Sequence, residues 1–343
     1  MNKLIEYGSV ESMPLYNCSA HSSEEWSKLF GVRHPYLGYF DIIFGVVVNI
    51  LYAPILSVMF QPEYYKMSCF KIMICLGIVD MLALWINSII TGVLALQGAV
   101  YCTYPTFNYM IGSIVLGLWC CSCIIVLGLV ANRLLEMSKP AYAYTLFNGY
   151  RTYIVMIIPV MYGIYFILFT NPVGFNSKYY TWLFDPMITE NRSTEYHNIP
   201  HSINNVFIVA VTCFMYGWLY FIVQEKMSMI SWKNRRQDLS FQILIQSAMI
   251  CSINMVASII FVLMNFVELP LIIILIAQKM WQFIHAFPVF IYLVINKTIR
   301  NGLLRKFRLK TQRSLFERYM DWKGCVVAAW IAAIIQYHHS ITV

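Results

Sequence analysis

Five charged or strongly hydrogen-bonding side chains stand within or at the edge of long apolar stretches of the sequence: Asn49, Asp80, Arg133, Lys279 and His285. Carboxylates, lysines and histidines are the groups that enzymes use for proton transfer, nucleophilic attack and metal binding. Asp80, Lys279 and His285 are isolated groups in this sequence, which is a thin basis for a metal or nucleophile site. We therefore predict no enzyme, metal or cofactor, and look to the elements that position these side chains.

The composition is that of a protein whose solvent is lipid. The chain has 343 residues, of which 59% are hydrophobic and 12% charged, and its mean hydropathy is +0.63. An ordinary soluble domain has about twice that share of charge. The net charge of +8 lies in short clusters between apolar runs, which is typical of membrane proteins and argues against a nucleic-acid-binding face. The first 25 residues contain four glutamates and no apolar stretch, so we expect the first spanning helix to serve as the targeting signal.

Seven stretches are apolar and long enough to cross a bilayer as helices, which takes about 20 residues each. They cover roughly 36–60, 72–97, 103–131, 152–172, 203–223, 241–266 and 270–296. Small residues within them suit close contacts between helices, namely Gly38, Gly45, Gly112, Gly117 and Gly128. The sequence therefore predicts an all-α membrane protein with a bundle of seven transmembrane helices.

The distribution of basic residues predicts the orientation of this bundle. If the amino terminus is outside, the inner segments carry 18 Lys and Arg residues and the outer segments carry five. Without the carboxyl-terminal tail the ratio is still nine to five. Since cytoplasmic loops are rich in Lys and Arg, we expect the amino terminus outside and the carboxyl terminus inside. The chain then consists of an extracellular segment 1–35, the bundle 36–296 and a cytoplasmic tail 297–343.

Glycosylation sequons and cysteines agree with this orientation. The sequons at Asn17 and Asn191 fall outside, whereas the sequon at Asn296 falls inside, where it cannot be used. Of the ten cysteines, Cys18 and Cys102 face the oxidising side, where disulfides persist. We therefore predict a Cys18–Cys102 disulfide that ties the amino-terminal segment over the third helix. The alternative is two free thiols.

Arg133 follows Asn132 at the inner end of the third apolar run. A buried or half-buried guanidinium needs partners, and two conformations that offer it different partners make a switch. The alternative is a positively charged anchor at a helix end, which any membrane protein can carry. The next inner loop, 224–240, is also basic and contains Lys233, Arg235 and Arg236.

The other polar residues at membrane depth suggest an ion site and a ligand site. Asn49 and Asp80 lie at similar depths in the first two helices, where they either share water or a sodium ion or hold two helices together. Lys279 lies about 13 Å below Pro270 along the seventh helix. It either lines a ligand pocket, with Gln282 nearby, or snorkels along its own stem.

The longest loop and the tail carry two further signals. The loop 173–202 is aromatic and includes Trp182, so we expect it either to cover a small-molecule pocket or to lie at the membrane interface. The stretch 325–335 is apolar but too short to span a bilayer. The start of the tail predicts an amphipathic helix on the inner leaflet, with a solvated tail as the alternative, because apolar residues recur at helical spacing among basic ones: Ile299, Leu303, Leu304 and Phe307.

Five motifs together resemble one family. They are YNCS at 16–19, MICLGIVDM at 73–81, CTYP at 102–105, NRLLEMSKP at 132–140 and WQFIHAFPVFIYLVINKTIR at 281–300. On these motifs the chain resembles the nematode serpentine receptors of class T, from about residue 16 to about residue 300. The last motif, with His285, Pro288 and Tyr292, is the most specific of the five.

The resemblance implies a chemosensory receptor with the architecture of rhodopsin-like G-protein-coupled receptors. It implies a heterotrimeric G protein as partner and a place in the plasma membrane of sensory cilia. We expect a small-molecule ligand to enter from outside among helices three, five, six and seven. In such receptors the arginine at the inner end of helix three packs inward at rest and meets the G protein when helices five and six separate. This assigns Asn132, Arg133 and the basic loop 224–240 to coupling.

The sequence departs from the general rhodopsin-like pattern at several points. ANR stands at 131–133 where Asp/Glu-Arg-Tyr is usual, so the acid that holds the arginine at rest is missing from its usual place. The second outer loop has no cysteine, so the predicted Cys18–Cys102 bridge replaces the usual disulfide. Lys279 lies nine residues before Pro288, on a different helix face from the lysine that binds retinal in opsins, which argues against a retinal Schiff base.

Two other classes of membrane protein remain as the alternative function. A seven-helix odorant-gated channel has its amino terminus inside, contrary to the charge distribution. A transporter shows internal repeats or paired broken helices, which are not evident in this sequence. We therefore expect a receptor, with a ligand-gated channel or a transporter as the alternative.

Overall fold

The computed structural model describes residues 1–188, 192–227, 239–264 and 270–306. Within these ranges seven helices are long and apolar enough to cross a membrane. In chain order they are α1 (Pro35–Met59), α2 (Ser68–Gln97), α3 (Pro105–Ser138), α4 (Arg151–Phe169), α5 (Ile199–Met227), α6 (Leu239–Leu263) and α7 (Leu271–Val294). The prediction of an all-α protein with seven spanning helices is confirmed.

Shorter elements cap and connect the long helices. Short helices occupy Asn2–Tyr7, Ser23–Phe30, Pro62–Tyr65 and Pro140–Phe147, and α8 (Lys297–Lys306) follows α7. Single 3₁₀ turns lie at Tyr101–Thr103 and Ser193–Tyr196. The loop between α4 and α5 contains an antiparallel hairpin of β1 (Gly174–Asn176) and β2 (Thr181–Leu183).

α3 extends beyond the apolar run that predicts it. The run ends at residue 131, whereas the helix continues to Ser138. Leu134 is fully buried, so apolar packing carries the helix past the charged residue before it. The helix ends just before Pro140, whose ring and missing N–H do not allow it to continue. Arg133 therefore lies inside α3, five residues before its last residue, and not at the helix end.

α2 contains one turn of π-helix at Trp85–Ile90. The backbone carbonyl oxygen of Asn87, within this turn, accepts hydrogen bonds from two side chains of α7. Gln282 donates to it at 2.8 Å and Gln278 at 3.2 Å. Irregular turns of this kind are frequent at functional sites. Here the turn places a backbone carbonyl oxygen of α2 where side chains of α7 can donate to it.

α3 and α4 approach each other closely where two glycines meet. A Cβ atom on Gly117 would lie 2.6 Å from the carbonyl oxygen of Gly163, and one on Gly163 would lie 2.8 Å from that of Gly117. Small residues at such crossings let membrane helices pack backbone to backbone. Gly128 is different, because the nearest atom to its Cβ position is a methyl group of Met156 at 3.8 Å. The predicted close contact is therefore wrong for Gly128.

The amino-terminal segment folds onto the end of the bundle that bears Cys102, which we call the Cys102 end. A disulfide joins Cys18 to Cys102, with their Cα atoms 5.5 Å apart. The helix Ser23–Phe30 begins with a capping box, which satisfies backbone N–H groups at the start of a helix. Trp26 on this helix is buried and donates to the carbonyl oxygen of Cys18 at 2.9 Å. The segment therefore forms a cap on this end of the bundle.

α8 lies at the opposite end of the bundle, which we call the Arg133 end. Its start is capped by Asn296, whose side-chain oxygen accepts the N–H of Ile299 at 3.0 Å. Ile299 is buried against the bundle, and Arg305 forms an ion pair with Glu63 in the short helix Pro62–Tyr65 after α1. The helix predicted at the start of the tail is present, and its attraction to the inner leaflet stays a prediction.

Candidate functional site

A cavity of about 220 Å³ lies between the hairpin and helices α3, α5, α6 and α7 at the Cys102 end. Most of its wall is apolar or aromatic: Leu116, Trp119, Val173, Trp182, Leu183, Phe184, Met187, Phe261, Met264 and Trp281. The polar members come from the hairpin, the segment after it and the start of α5: Thr181, Asp185, Ser193, His197 and His201. A concave, mainly apolar wall with a few polar groups is the usual form of a small-molecule site.

The hairpin covers this cavity because its side chains are fastened to the bundle. Trp182 donates from its indole to the hydroxyl of Thr91 on α2 at 2.8 Å, and Tyr180 donates to the carboxylate of Asp41 on α1 at 2.8 Å. Tyr180 has a φ of 54°, in the left-handed region that residues other than glycine rarely adopt. The docked side chains hold this turn, so the aromatic loop lies over the cavity.

Three aromatic rings from different helices form the floor of the cavity. Phe261 of α6 contacts Trp119 of α3, with ring centroids 5.6 Å apart, and Trp281 of α7, with centroids 6.4 Å apart. Both contacts are edge-to-face, the geometry that aromatic rings prefer. A molecule on this floor would therefore contact α3, α6 and α7 together.

The predicted pocket residues separate into two groups. Trp182 lines the cavity, whereas Lys279 and Gln282 are absent from its wall among the described residues. Both contact α1 instead: Lys279 forms an ion pair with Asp41, and Gln282 donates to the same carboxylate at 2.9 Å. The structure thus provides Lys279 with a counter-charge on another helix.

Asp41, Lys279, Gln282 and Tyr180 form a buried polar cluster that we call the Asp41 centre. Asp41 is fully buried and accepts hydrogen bonds from the other three residues. The ammonium of Lys279 also lies 4.9 Å from the centre of the Tyr180 ring, within range of a cation–π interaction. A buried carboxylate is costly without such partners. Sequence reasoning missed Asp41, although an acidic residue within the first apolar run was a signal for a buried partner.

Asp80 pairs with α7 and α1 and not with Asn49. His285 Nδ1 lies 2.7 Å from one carboxylate oxygen of Asp80, and the hydroxyl of Tyr52 donates to the other at 2.9 Å. Asn49 donates to the carbonyl oxygen of Gly45 in its own helix at 2.8 Å. The expected Asn49–Asp80 pair is therefore not formed directly. Asp80, His285 and Tyr52 make a second buried cluster, the Asp80 centre, which joins α1, α2 and α7.

A ring contact links the cavity floor to the Asp80 centre. Trp119 lies edge-to-face against the imidazole of His285, with ring centroids 6.2 Å apart. The other two residues of the helix-seven motif also lie near this centre. Pro288 lines a small void beside Asp80, and Tyr292 is fully buried. The helix-seven motif therefore lies on the bundle-facing side of α7, below the cavity.

At the Arg133 end, Arg133 is buried and bonded mainly to residues of its own helix. Its guanidinium forms an ion pair with Glu136 and donates to the side-chain oxygen of Asn132. Ser68 of α2 accepts a hydrogen bond from Asn132 at 3.0 Å and donates one to Glu136 at 3.0 Å. Arg133 thus pairs with Glu136, three residues after it, and the position before Arg133 carries no acid. Sequence reasoning missed this pair, although a spacing of three residues on a helix favours an ion pair.

The remaining predicted residues differ in whether the structure describes them. Asn17 is exposed on the amino-terminal segment, next to the disulfide. Asn296, of the third sequon, is fully buried and donates to Gln246 of α6 at 3.1 Å. Several predicted features lie outside the described residues. They are Asn191, the apolar stretch 325–335, and the basic loop residues Lys233, Arg235 and Arg236.

Known proteins resemble this chain in sequence and in fold. A family model described as the serpentine type 7TM GPCR chemoreceptor Srt matches residues 3–315. Serpentine receptor class T-55 of Caenorhabditis elegans is 24% identical over 310 residues, which are 86% of this chain and 80% of the relative. The crystal structure of squid rhodopsin aligns with a TM-score of 0.60 at 12% identity, over 90% of this chain and 94% of the other. At that identity the rhodopsin likeness shows the fold alone.

Proposed function

The chain belongs to the Srt family of serpentine seven-helix chemoreceptors, and we propose that it binds a small extracellular molecule and signals to a heterotrimeric G protein. This is a receptor family and not a family of enzymes, and the chain is a multi-pass membrane protein. The proposal assigns ligand binding to the cavity under the hairpin and G-protein coupling to the Arg133 end. It places the receptor in the plasma membrane of sensory cilia.

One observation carries this proposal: the same helix contributes to both sites. α3 provides Leu116 and Trp119 to the cavity and Arg133 to the opposite end. At about 1.5 Å per residue, Trp119 and Arg133 lie about 21 Å apart along the helix axis. A ligand and a G protein therefore both bias the position of one rigid element, which is a physical basis for coupling between distant sites.

The contacts of Arg133 suit a switch between two sets of partners. Its side chain is 4% exposed, whereas that of its partner Glu136 is 34% exposed. The carboxylate is therefore accessible at the rim of the bundle and can be exchanged for other partners. A G protein that offers Arg133 new hydrogen-bond acceptors competes with Glu136 and Asn132, and a ligand that favours the released arrangement raises its population.

The proposal requires the amino terminus to lie outside the cell. The bias of 18 Lys and Arg residues against five supports this orientation. Two further features at the Cys102 end fit an oxidising and glycosylating compartment: the Cys18–Cys102 disulfide and the exposed sequon at Asn17. The cavity is at this same end and would open toward extracellular molecules.

Glycosylation mapping tests the orientation directly. Asn17, Asn191 and Asn296 are each replaced by Gln in the full chain, and glycosidase-sensitive gel shifts are read in cells. Loss of a shift with Asn17→Gln or Asn191→Gln establishes the amino terminus outside. Glycosylation at Asn296 alone would invert the topology and favour the ligand-gated channel. Silence of Asn296 by itself does not decide the question, because its side chain is buried in the folded chain.

Nucleotide exchange on G proteins tests the coupling. The purified full chain in lipid nanodiscs is mixed with a panel of Gα subunits and Gβγ, and GTP uptake is measured. We expect exchange above the receptor-free rate for at least one Gα, and loss of this exchange in Arg133→Ala at equal amounts of folded receptor. Ion currents in planar bilayers without any exchange would overturn the proposal in favour of a channel.

A further inference from the structure

We infer that the cavity selects small, neutral and mainly apolar molecules that carry a hydrogen-bond acceptor, such as the oxygen of a ketone or an ester. The inference rests on the proposed function, since it takes this cavity as the ligand site. Two ring nitrogens of cavity-lining side chains carry it. Nε1 of Trp281 and Nδ1 of His201 are buried and have no hydrogen-bond partner within the described part of the chain.

Three of the described residues that line the cavity are tryptophans, and Trp281 differs from the other two in its hydrogen bonding. Trp119 donates its indole N–H to the side-chain oxygen of Asn205 at 3.3 Å, and Trp182 donates to the hydroxyl of Thr91 at 2.8 Å. The indole N–H of Trp281 has no such acceptor among the described residues. A buried donor without a partner carries an unrecovered desolvation cost, which a bound molecule removes if it brings an acceptor to that N–H.

The protonation of His201 follows from its neighbours. Because an indole N–H can only donate, Asn205 must present its oxygen to Trp119 and its NH₂ group to His201. That NH₂ group lies 3.4 Å from Nε2 of His201, so Nε2 accepts and is unprotonated. The proton of the neutral imidazole is then on Nδ1. His201 therefore carries a second buried N–H donor, on a side chain that lines the cavity, and this donor has no acceptor among the described residues.

The charges around the cavity favour a neutral molecule. None of the described residues that line it is a Lys or Arg, so a bound anion would lose its hydration without gaining a counter-charge. Among the described residues that line the cavity the one carboxylate is that of Asp185, which is half-exposed, and one of its oxygens already accepts the N–H of Met187 at 2.8 Å. Water and salt screen the attraction of a cation to such a partly exposed carboxylate and weaken it. The unpaired buried donors therefore decide the preference.

The size of the cavity limits the ligand to about one ring with a short side chain. An apolar cavity of about 150 Å³ in another protein binds benzene, and the cavity described here measures about 220 Å³. Its floor of Trp119, Phe261 and Trp281 offers ring edges and faces to such a molecule. The His201 ring on α5 and the Trp281 ring on α7 then shift toward the bound molecule. Their N–H groups donate to its acceptor atom and orient it.

Four probes with a common benzene ring test the inference: acetophenone, ethylbenzene, 1-phenylethylamine and benzoate. The purified full chain in nanodiscs is titrated with each probe, and dissociation constants are obtained from thermal stabilisation and from quenching of tryptophan fluorescence. We expect acetophenone to bind about three- to tenfold more tightly than ethylbenzene, which is the effect of one or two hydrogen bonds. The amine and the benzoate should bind more weakly than acetophenone.

Variants of the two donors test the mechanism of this preference. Trp281→Phe removes the N–H and keeps an aromatic ring, so the preference for acetophenone over ethylbenzene should fall about threefold or more. Trp85→Phe is the matched control, because Trp85 is exposed on α2 and is not one of the described residues that line the cavity; it should keep the preference. His201→Phe should weaken the preference, and His201→Asn, which keeps an N–H donor, should retain more of it.

Several binding results would overturn the inference: the amine or benzoate binds most tightly, acetophenone and ethylbenzene bind equally, or no probe binds. An unchanged preference for acetophenone over ethylbenzene in folded Trp281→Phe and His201→Phe would overturn it as well. The nucleotide-exchange assay separates this outcome from failure of the proposed function. A chain that drives exchange but prefers the amine overturns only the inference. A chain that binds acetophenone but promotes no exchange with any Gα overturns the proposed function.

Discussion

Asp41 on α1 and Lys279 on α7, 238 residues apart in the sequence, form an ion pair inside the bundle. The Asp41 side chain has no exposed surface, whereas that of Lys279 is 30% exposed. Tyr180 of the hairpin donates to the same carboxylate at 2.8 Å. The Asp41 centre therefore joins the first helix, the last spanning helix and the cover of the cavity.

Replacement of Lys279 should cost more stability than replacement of Asp41. Lys279→Met leaves a closed-off carboxylate with only neutral donors, and we expect a loss of about 3 kcal/mol. Asp41→Asn leaves a neutral amide that still accepts hydrogen bonds, while the long stem of Lys279 lets its ammonium move toward a more polar region, so the loss should be about 1–2 kcal/mol. Thermal unfolding of the purified variants measures both.

The double variant Asp41→Asn/Lys279→Met is the control for this pair. It carries no unpaired charge at the Asp41 centre, so it should lose less stability than Lys279→Met alone. Additive losses in the two single variants and the double variant would show that the ion pair contributes no coupling energy.

The Asp80 centre should tolerate loss of charge better than loss of the imidazole. In Asp80→Asn the amide oxygen still accepts one hydrogen bond from His285 or Tyr52, and we expect a cost of about 1 kcal/mol. In His285→Phe the carboxylate, which is 2% exposed, keeps only the Tyr52 hydroxyl, and we expect about 3 kcal/mol. Tyr52→Phe, which removes one hydroxyl, serves as the reference at about 1 kcal/mol. A smaller loss in His285→Phe than in Asp80→Asn would contradict this picture.

Removal of the Glu136 charge should raise signalling without ligand. Glu136→Gln weakens the contact that holds Arg133 and should increase basal nucleotide exchange about two- to fivefold. Glu63→Gln is the matched control, because Glu63 pairs with Arg305 and not with Arg133. It should leave basal exchange unchanged. Equal increases in both variants would indicate a general loosening of this end and not release of Arg133.

The disulfide should stabilise both the cap and the cavity. It closes a loop of 84 residues, so Cys18→Ser/Cys102→Ser should lose about 2–4 kcal/mol of stability. The cap also holds the cavity wall, since Tyr196 donates to the carbonyl oxygen of Leu15 at 2.5 Å and lies between Ser193 and His197 of that wall. Probe affinity should therefore fall as well. A reductant should lower the unfolding temperature of the native chain but not of the double variant.

Two glycine variants of α3 should differ sharply in stability. Gly117→Ala places a methyl group against the backbone of Gly163 and a side-chain carbon of Ile167, and should cost about 1–3 kcal/mol. Gly128→Ala meets its nearest atom at 3.8 Å and should be neutral or slightly stabilising. Yield and unfolding temperature of the two proteins, measured side by side, test the contact. Equal stability would mean that α3 and α4 do not cross at Gly117.

The sequence by itself determined the seven helices, since spanning helices depend on local composition. A run of apolar residues long enough to cross a bilayer is recognised without knowledge of its neighbours. The ends of the helices were predicted less well where a charged residue interrupts the apolar run, as at Arg133. There the helix continues, because Leu134 after it is buried. The Cys18–Cys102 pair was also predictable, because only two cysteines of the predicted topology face the oxidising side.

The partners of the polar groups were decided by the tertiary structure. Lys279 meets Asp41, and Asp80 meets His285 across more than 200 residues of sequence, and such pairs depend on how the helices are rotated and stacked. Hydropathy indicates that a residue is at membrane depth but not which neighbour it faces. The cavity is likewise a product of packing, since its wall combines the hairpin with four helices. The unpaired donors Trp281 and His201 become visible only when the partners of every surrounding group are known.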